Sequence, residues 1–113
     1  MSGISTHVLD TSIGRPAGGI SVVLEIESNV GTWKEVGRGI SNADGRIADL
    51  LAPGSLAEGT YRMTFDTEAY FRSRNVQGFY PNITVVFQVC DATQHHHIPL
   101  LLTPYGYSTY RGS

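Results

Sequence analysis

The chain has 113 residues, 41% of them hydrophobic and 16% charged, with a formal net charge of −2. That length holds one domain, spanning residues 1–113, with a single modest core. A pI near 6.0, with eight basic residues scattered rather than clustered, argues against nucleic acid as a partner, because phosphate recognition needs concentrated positive charge. No apolar run approaches the ~20 residues of a membrane helix, so no membrane partner is expected.

In chain order, Ile4 to Leu9 reads as an opening strand. Ile20, Val22, Leu24 and Ile26 alternate with Ser21, Val23 and Glu25, the period-2 pattern of a half-buried strand. The Asn29-Val30-Gly31 turn signal leads into a second run from Trp33 to Ile40. Asp44-Gly45 is a tight-turn dipeptide with Arg46 directly after it. Tyr61, Met63 and Phe65 share one face of a further strand. Asp66 or Thr67 can cap a short helix through Glu68, Ala69, Tyr70, Phe71 and Arg72 to about Arg74, ended by Asn75 and Gly78. Ile83 to Val89 is β-branched and holds Phe87. His95 to Leu102 follows, then a short run from Tyr107 to Arg111. Seven or eight strands with one short helix predict an all-β, two-sheet sandwich, with a barrel as the alternative. Pro99 lies inside its run, so that strand should have an edge, a bulge or an interruption there.

Few residues are suited to chemistry. His7 lies on one strand face with Ser5 and Leu9. It is either an ordinary surface histidine or a general base or water-positioning group. In His95-His96-His97 the outer two share a face. The pair could begin a zinc site, but a third ligand has no supporting motif, so no metal is expected. His95 and His96 read as ordinary polar residues near a surface, leaving His97 as the functional candidate. Arg46 stands at a loop edge, where it can bind a planar anion through two hydrogen bonds or pair with Asp44 or Asp49. The single Cys90 excludes an intrachain disulfide and fits a reducing compartment; its default role is a small buried hydrophobe. Gly37-Arg38-Gly39 is no phosphate loop, and no nucleophile elbow is present. Glu25 and Glu27 fit a solvated face. The terminal residues Tyr110, Arg111, Gly112 and Ser113 concentrate a phenol, a guanidinium, a hydroxyl and a carboxylate behind an apolar segment that should be built into the fold.

Three blocks carry a resemblance. They are Ser5-Thr6-His7-Val8-Leu9-Asp10-Thr11-Ser12-Ile13-Gly14-Arg15-Pro16-Ala17; Asn42-Ala43-Asp44-Gly45-Arg46; and His97-Ile98-Pro99-Leu100-Leu101-Leu102-Thr103-Pro104, continuing from Tyr107 to Ser113. In this order and spacing, nearly the whole chain resembles the transthyretin-related family of 5-hydroxyisourate hydrolases. The resemblance implies a sandwich of two four-stranded sheets with one short helix. It implies a homotetramer, a dimer of dimers, with sites in a channel between dimers. It also implies metal-independent, cofactor-free opening of a purine-derived small molecule, 5-hydroxyisourate, to 2-oxo-4-hydroxy-4-carboxy-5-ureidoimidazoline. By the same resemblance His7, Arg46, His97 and Ser113 are catalytic, and Tyr110, Arg111, Gly112 and Ser113 join His7 and Arg46 in binding substrate. A non-catalytic carrier using that channel, and an interaction domain cut from a larger protein, are the other function classes on this fold. No secretory leader is expected before Ile4, and Arg111-Gly112-Ser113 is not the C-terminal peroxisomal tripeptide. A cytoplasmic or peroxisomal location is expected.

Overall fold

Two β-sheets pack face to face in the computed structural model, which describes residues 3–112. The strands in chain order are β1 (Ile4–Asp10), β2 (Arg15–Pro16), β3 (Ser21–Asn29), β4 (Thr32–Ile40), β5 (Arg46–Ile47), β6 (Gly59–Phe65), β7 (Ile83–Val89), β8 (His96–Thr103) and β9 (Gly106–Thr109). One helix, α1 (Thr67–Ser73), lies between β6 and β7. The first sheet runs β2-β1-β8-β9, with β5 also on β1; the second runs β4-β3-β6-β7. The sandwich is therefore as expected, and the two-residue strands β2 and β5 bring the described strands to nine. Both short strands line the edge of β1 opposite β8.

Alternation explains the core. Ile20, Val22 and Leu24 from one run, and Tyr61, Met63 and Phe65 from another, meet Ile4, Val8, Leu100 and Leu102 from the first sheet. Each is essentially removed from water, and full burial of such a side chain contributes about 1.5–3 kcal/mol. Tyr61 keeps its phenol satisfied by donating to the Ala57 carbonyl at 2.7 Å. The opposite faces of the same strands remain free for polar groups.

The helix forms where its cap predicts. Asp66 accepts from the Ala69 amide at 3.2 Å, Glu68 and Arg72 pair one turn apart, and Asn75 takes a φ of 58° just past the end. The helix buries Tyr70 and Phe71. The Tyr70 hydroxyl donates to the buried Asp10 carboxylate at 2.8 Å, tying α1 to the end of β1. Burial, then that bond, pushes the phenol pKa up to about 12, so Tyr70 stays a donor.

Two expectations are corrected here. Cys90 is exposed, because β7 ends at Val89 and the next residue turns out of the sheet. His96 is buried, only 5% exposed, because it falls on the inward register of β8 with Ile98, Leu100 and Leu102. Its Nδ1 is bonded to the Gln94 carbonyl at 3.0 Å.

Pro99 interrupts the sheet as expected. The β8–β9 ladder runs from Thr103↔Gly106 to Leu100↔Thr109 and resumes only at an isolated bridge, His97↔Gly112. Residues 97 and 99 turn their backbones to the same side, so the missing Pro99 amide falls where the ladder breaks. Thr109 instead donates its hydroxyl to the Pro99 carbonyl at 2.6 Å. The last strand accordingly ends at Thr109 rather than Arg111.

Candidate active site

The outer face of the first sheet collects the polar groups. On β1 the even-numbered residues Ile4, Thr6 and Val8 point into the core, so Ser5, His7 and Leu9 point outward. The parallel register sets Ser5 beside His97 and His7 beside Pro99. The antiparallel register on the other side sets His7 opposite Arg46. His7, Arg46 and His97, separated by up to 90 residues in sequence, thus meet on three adjacent strands.

Arg46 is launched by a constrained turn. The Asn42 side-chain oxygen accepts from the amides of Asp44 at 2.9 Å and Arg46 at 3.0 Å. Gly45, with φ 75°, gives its carbonyl to the Val8 amide at 2.7 Å. A Cβ at residue 45 would fall 2.3 Å from the Val8 carbonyl oxygen. Only glycine satisfies both the left-handed backbone and this close approach. Among the described residues Arg46 forms no salt bridge with Asp44 or Asp49.

An open depression of about 320 Å³ lies over these strands, lined by Ser5, Thr6, Arg46, Ile47, Ala48, His95 and His97. His95, read from the sequence as an ordinary polar residue, belongs to it. The Ser5 hydroxyl lies 2.7 Å from His95 Nε2 and 2.8 Å from His97 Nδ1. Ser5 and His95 are the residues that sequence reasoning passed over. Alternation places His95 on the His97 face, but nothing local places Ser5 between them.

His97 is held below the ordinary histidine value of 6.5, first by partial burial and then by the charges of Arg46, His7 and His95. The same surroundings disfavour the imidazolium and favour the neutral ring that can accept a proton. The terminal segment closes over it. The Gly112 amide donates to the His97 carbonyl at 2.8 Å, and a Cβ at residue 112 would come within 2.6 Å of His97 Cδ2. Arg111 points elsewhere, donating to the Gln94 side chain at 2.9 Å. Tyr110 is 58% exposed and lines a separate cleft of about 240 Å³ with Val85, Phe87 and His96. Ser113 lies outside the described residues. No cluster of three or more metal-ligating side chains occurs among the described residues.

The fold and site define a two-sheet β-sandwich that gathers three histidines and an arginine on one outer face. The chain belongs to the HIUase/Transthyretin family, whose model matches residues 4–112. It is 49% identical over 111 residues to a probable 5-hydroxyisourate hydrolase of Caenorhabditis elegans, covering 97% of this chain and 81% of that protein. The structure of Klebsiella pneumoniae 5-hydroxyisourate hydrolase aligns with a TM-score of 0.86 at 37% identity, covering 100% and 94% of the two chains. Sea bream transthyretin in complex with thyroxine aligns at 0.90 with 29% identity, covering 96% and 93%.

The charges around His97 give a signed prediction. Arg46→Ala removes a cation that disfavours the imidazolium, so the His97 pKa rises. The acid limb of kcat/KM should then move to higher pH, whatever happens to its plateau. A pH–rate profile reads this directly; an unmoved limb would detach His97 from Arg46.

Proposed function

We propose that this chain hydrolyses 5-hydroxyisourate to 2-oxo-4-hydroxy-4-carboxy-5-ureidoimidazoline in urate degradation. The observation that carries the reading is His97, its imidazolium disfavoured, in an open depression with Arg46, and His7 set opposite Arg46 in the adjoining strand, within a chain of the hydrolase's family. Opening the ring breaks an amide-type C–N bond. Water must lose a proton, add to a carbonyl, and the departing ring nitrogen must gain a proton. His97 takes the proton from water through its Nε2. His7 stands across from Arg46 and serves the leaving nitrogen, giving the two histidines separate base and acid work. Arg46 stabilises the charge that develops on the tetrahedral oxygen. Gly112 and Ser113 extend the substrate-binding surface at His97, with Ser113 supplying a hydroxyl at the catalytic centre. Tyr110 and Arg111, which face away from this depression within one chain, join in binding substrate across the channel of the assembly. No cofactor is required by these steps.

The same reading makes the protein a homotetramer, a dimer of dimers, acting on a small molecule in the cytoplasm or peroxisome. Exposed aromatic and apolar groups near the free edges of β7 and β9 support the assembly: Val86, Tyr105, Tyr107 and Tyr110. The carrier alternative uses the same fold, but it has no need of a neutral base beside a cation. The test is urate oxidised in situ with and without the protein. Hydroxyisourate absorbance should decay faster with protein present, and sedimentation should give four copies per particle. Unchanged decay would overturn the enzymatic reading, and a stable monomer would overturn the assembly.

A further inference from the structure

We propose that Ser5 is a positioning residue for this reaction: its hydroxyl, held between His95 and His97, fixes the tautomer of His97 and passes on to His95 the proton that His97 collects. The catalytic consequence rests on the hydrolase reading; the coupling of the two rings does not.

The argument begins from hydrogen count. A serine hydroxyl has one hydrogen and accepts with its lone pairs. Here it faces two ring nitrogens, His95 Nε2 at 2.7 Å and His97 Nδ1 at 2.8 Å. With both rings neutral, satisfying both contacts requires the hydroxyl to donate to one nitrogen and accept from the other. The two tautomers are therefore linked. If Ser5 donates to His95, His97 carries its hydrogen on Nδ1 and its Nε2 is bare, which is the form that can act as a base. If Ser5 donates to His97, the hydrogen of His97 sits on Nε2 and the base is blocked.

The geometry gives the hydroxyl little freedom to leave. Ser5 is 8% exposed and pairs directly with His97 in the β1–β8 register. The neighbouring Thr6 locks that register by donating to the Ile98 carbonyl at 2.6 Å.

The relay balances. His97 Nε2 takes a proton from the attacking water. The Nδ1 proton of His97 then moves to Ser5 Oγ, and the original Ser5 hydrogen moves to His95 Nε2. Ser5 is unchanged, His97 is neutral with its hydrogen on Nε2, and His95 is the imidazolium. The direction follows from the surroundings. The ring of His97 faces Arg46 on β5, His7 on β1 and His95 just ahead of β8, and is half-buried, so a cation there is disfavoured. His95 is exposed, so water solvates its charge. His97, now a neutral Nε2–H donor, is reset when the relay runs backward: the Nε2 proton of His95 moves to Ser5, the Ser5 hydrogen returns to His97 Nδ1, and the Nε2 proton of His97 leaves to solvent.

The test has two arms. Nitrogen-15 NMR of the ring nitrogens in the free protein should show His97 protonated on Nδ1 near neutral pH. In Ser5→Ala, which lacks the acceptor, His97 should revert to the Nε2–H tautomer that free imidazole prefers. In Ser5→Thr, which keeps the hydroxyl, it should not. In the kinetic arm kcat of Ser5→Ala should fall about tenfold, short of the ~10²-fold loss of a direct acid–base group. Its KM should stay within about twofold, its pH profile should shift, and Ser5→Thr should restore both. A wild-type His97 protonated on Nε2, an unchanged tautomer in Ser5→Ala, or a threonine variant as impaired as the alanine one would each overturn the proposal. The NMR arm on wild-type protein needs neither a folded variant nor any turnover. A protein that shows the coupled tautomers but does not consume hydroxyisourate would fail the function and keep the coupling.

Discussion

His97→Ala is expected to lower hydroxyisourate turnover by about 10²–10⁴-fold, the usual contribution of a positioned acid–base group, with little change in thermal stability. His97 lies on the outer face of β8, half-exposed, and the core on the other face loses nothing when its ring is removed. His7→Ala should cost at least ~10²-fold for the same reason. The contrast with His96 makes the experiment informative. Its ring is buried and bonded to the Gln94 carbonyl, so His96→Ala should lower the melting temperature first. Turnover of His97→Ala within tenfold of wild type, measured on folded protein, would place the base elsewhere.

Much of this site was legible because strand alternation is a local rule. His7 and His97 each lie on a strand face that period 2 assigns without long-range information, and Arg46 follows the local Asp44-Gly45 turn signal. Their residue types supply what amide hydrolysis needs. The helix was legible through Asp66 and Asn75, which act within one turn of their own backbone. The two-residue strands were not, because Arg15–Pro16 and Arg46–Ile47 are too short to show a period and exist only as partners of β1. The misreadings have the same origin. Cys90 follows an apolar strand and inherits its hydrophobic reading, yet the chain turns outward one residue earlier. His95 and His96 look equivalent in the triplet, but the core takes one and the site takes the other. That choice is settled by the parallel pairing of β8 with β1, a contact across more than 90 residues. The same pairing brings in Ser5, a small hydroxyl whose significance depends wholly on what it faces.

Deleting Tyr110 to Ser113 should abolish measurable hydrolysis while leaving a folded sandwich. The last regular strand ends at Thr109, whose hydroxyl still reaches the Pro99 carbonyl. Tyr110 is more than half exposed, so the apolar area lost is small. The site loses far more. The Gly112 amide anchors the tail to the His97 carbonyl at 2.8 Å, and the Gly112 backbone lies against the His97 ring closely enough that no side chain fits between them. Removing one preorganised donor from such a site costs about 2.7–4 kcal/mol, or 10²–10³ in turnover, and this deletion removes the hydroxyl proposed for Ser113 together with the Gly112 anchor. Gly112→Ala is the finer test. Its Cβ would sit 2.6 Å from His97 Cδ2, so either the ring turns or the tail lifts. Both disturb the base without touching the core, and turnover should fall about tenfold or more, while stability holds. Sedimentation must accompany both assays, because a tail that also joins subunits would lose activity through dissociation. A tail-deleted tetramer with full turnover would make the segment structural and move the active site off this face of the sheet.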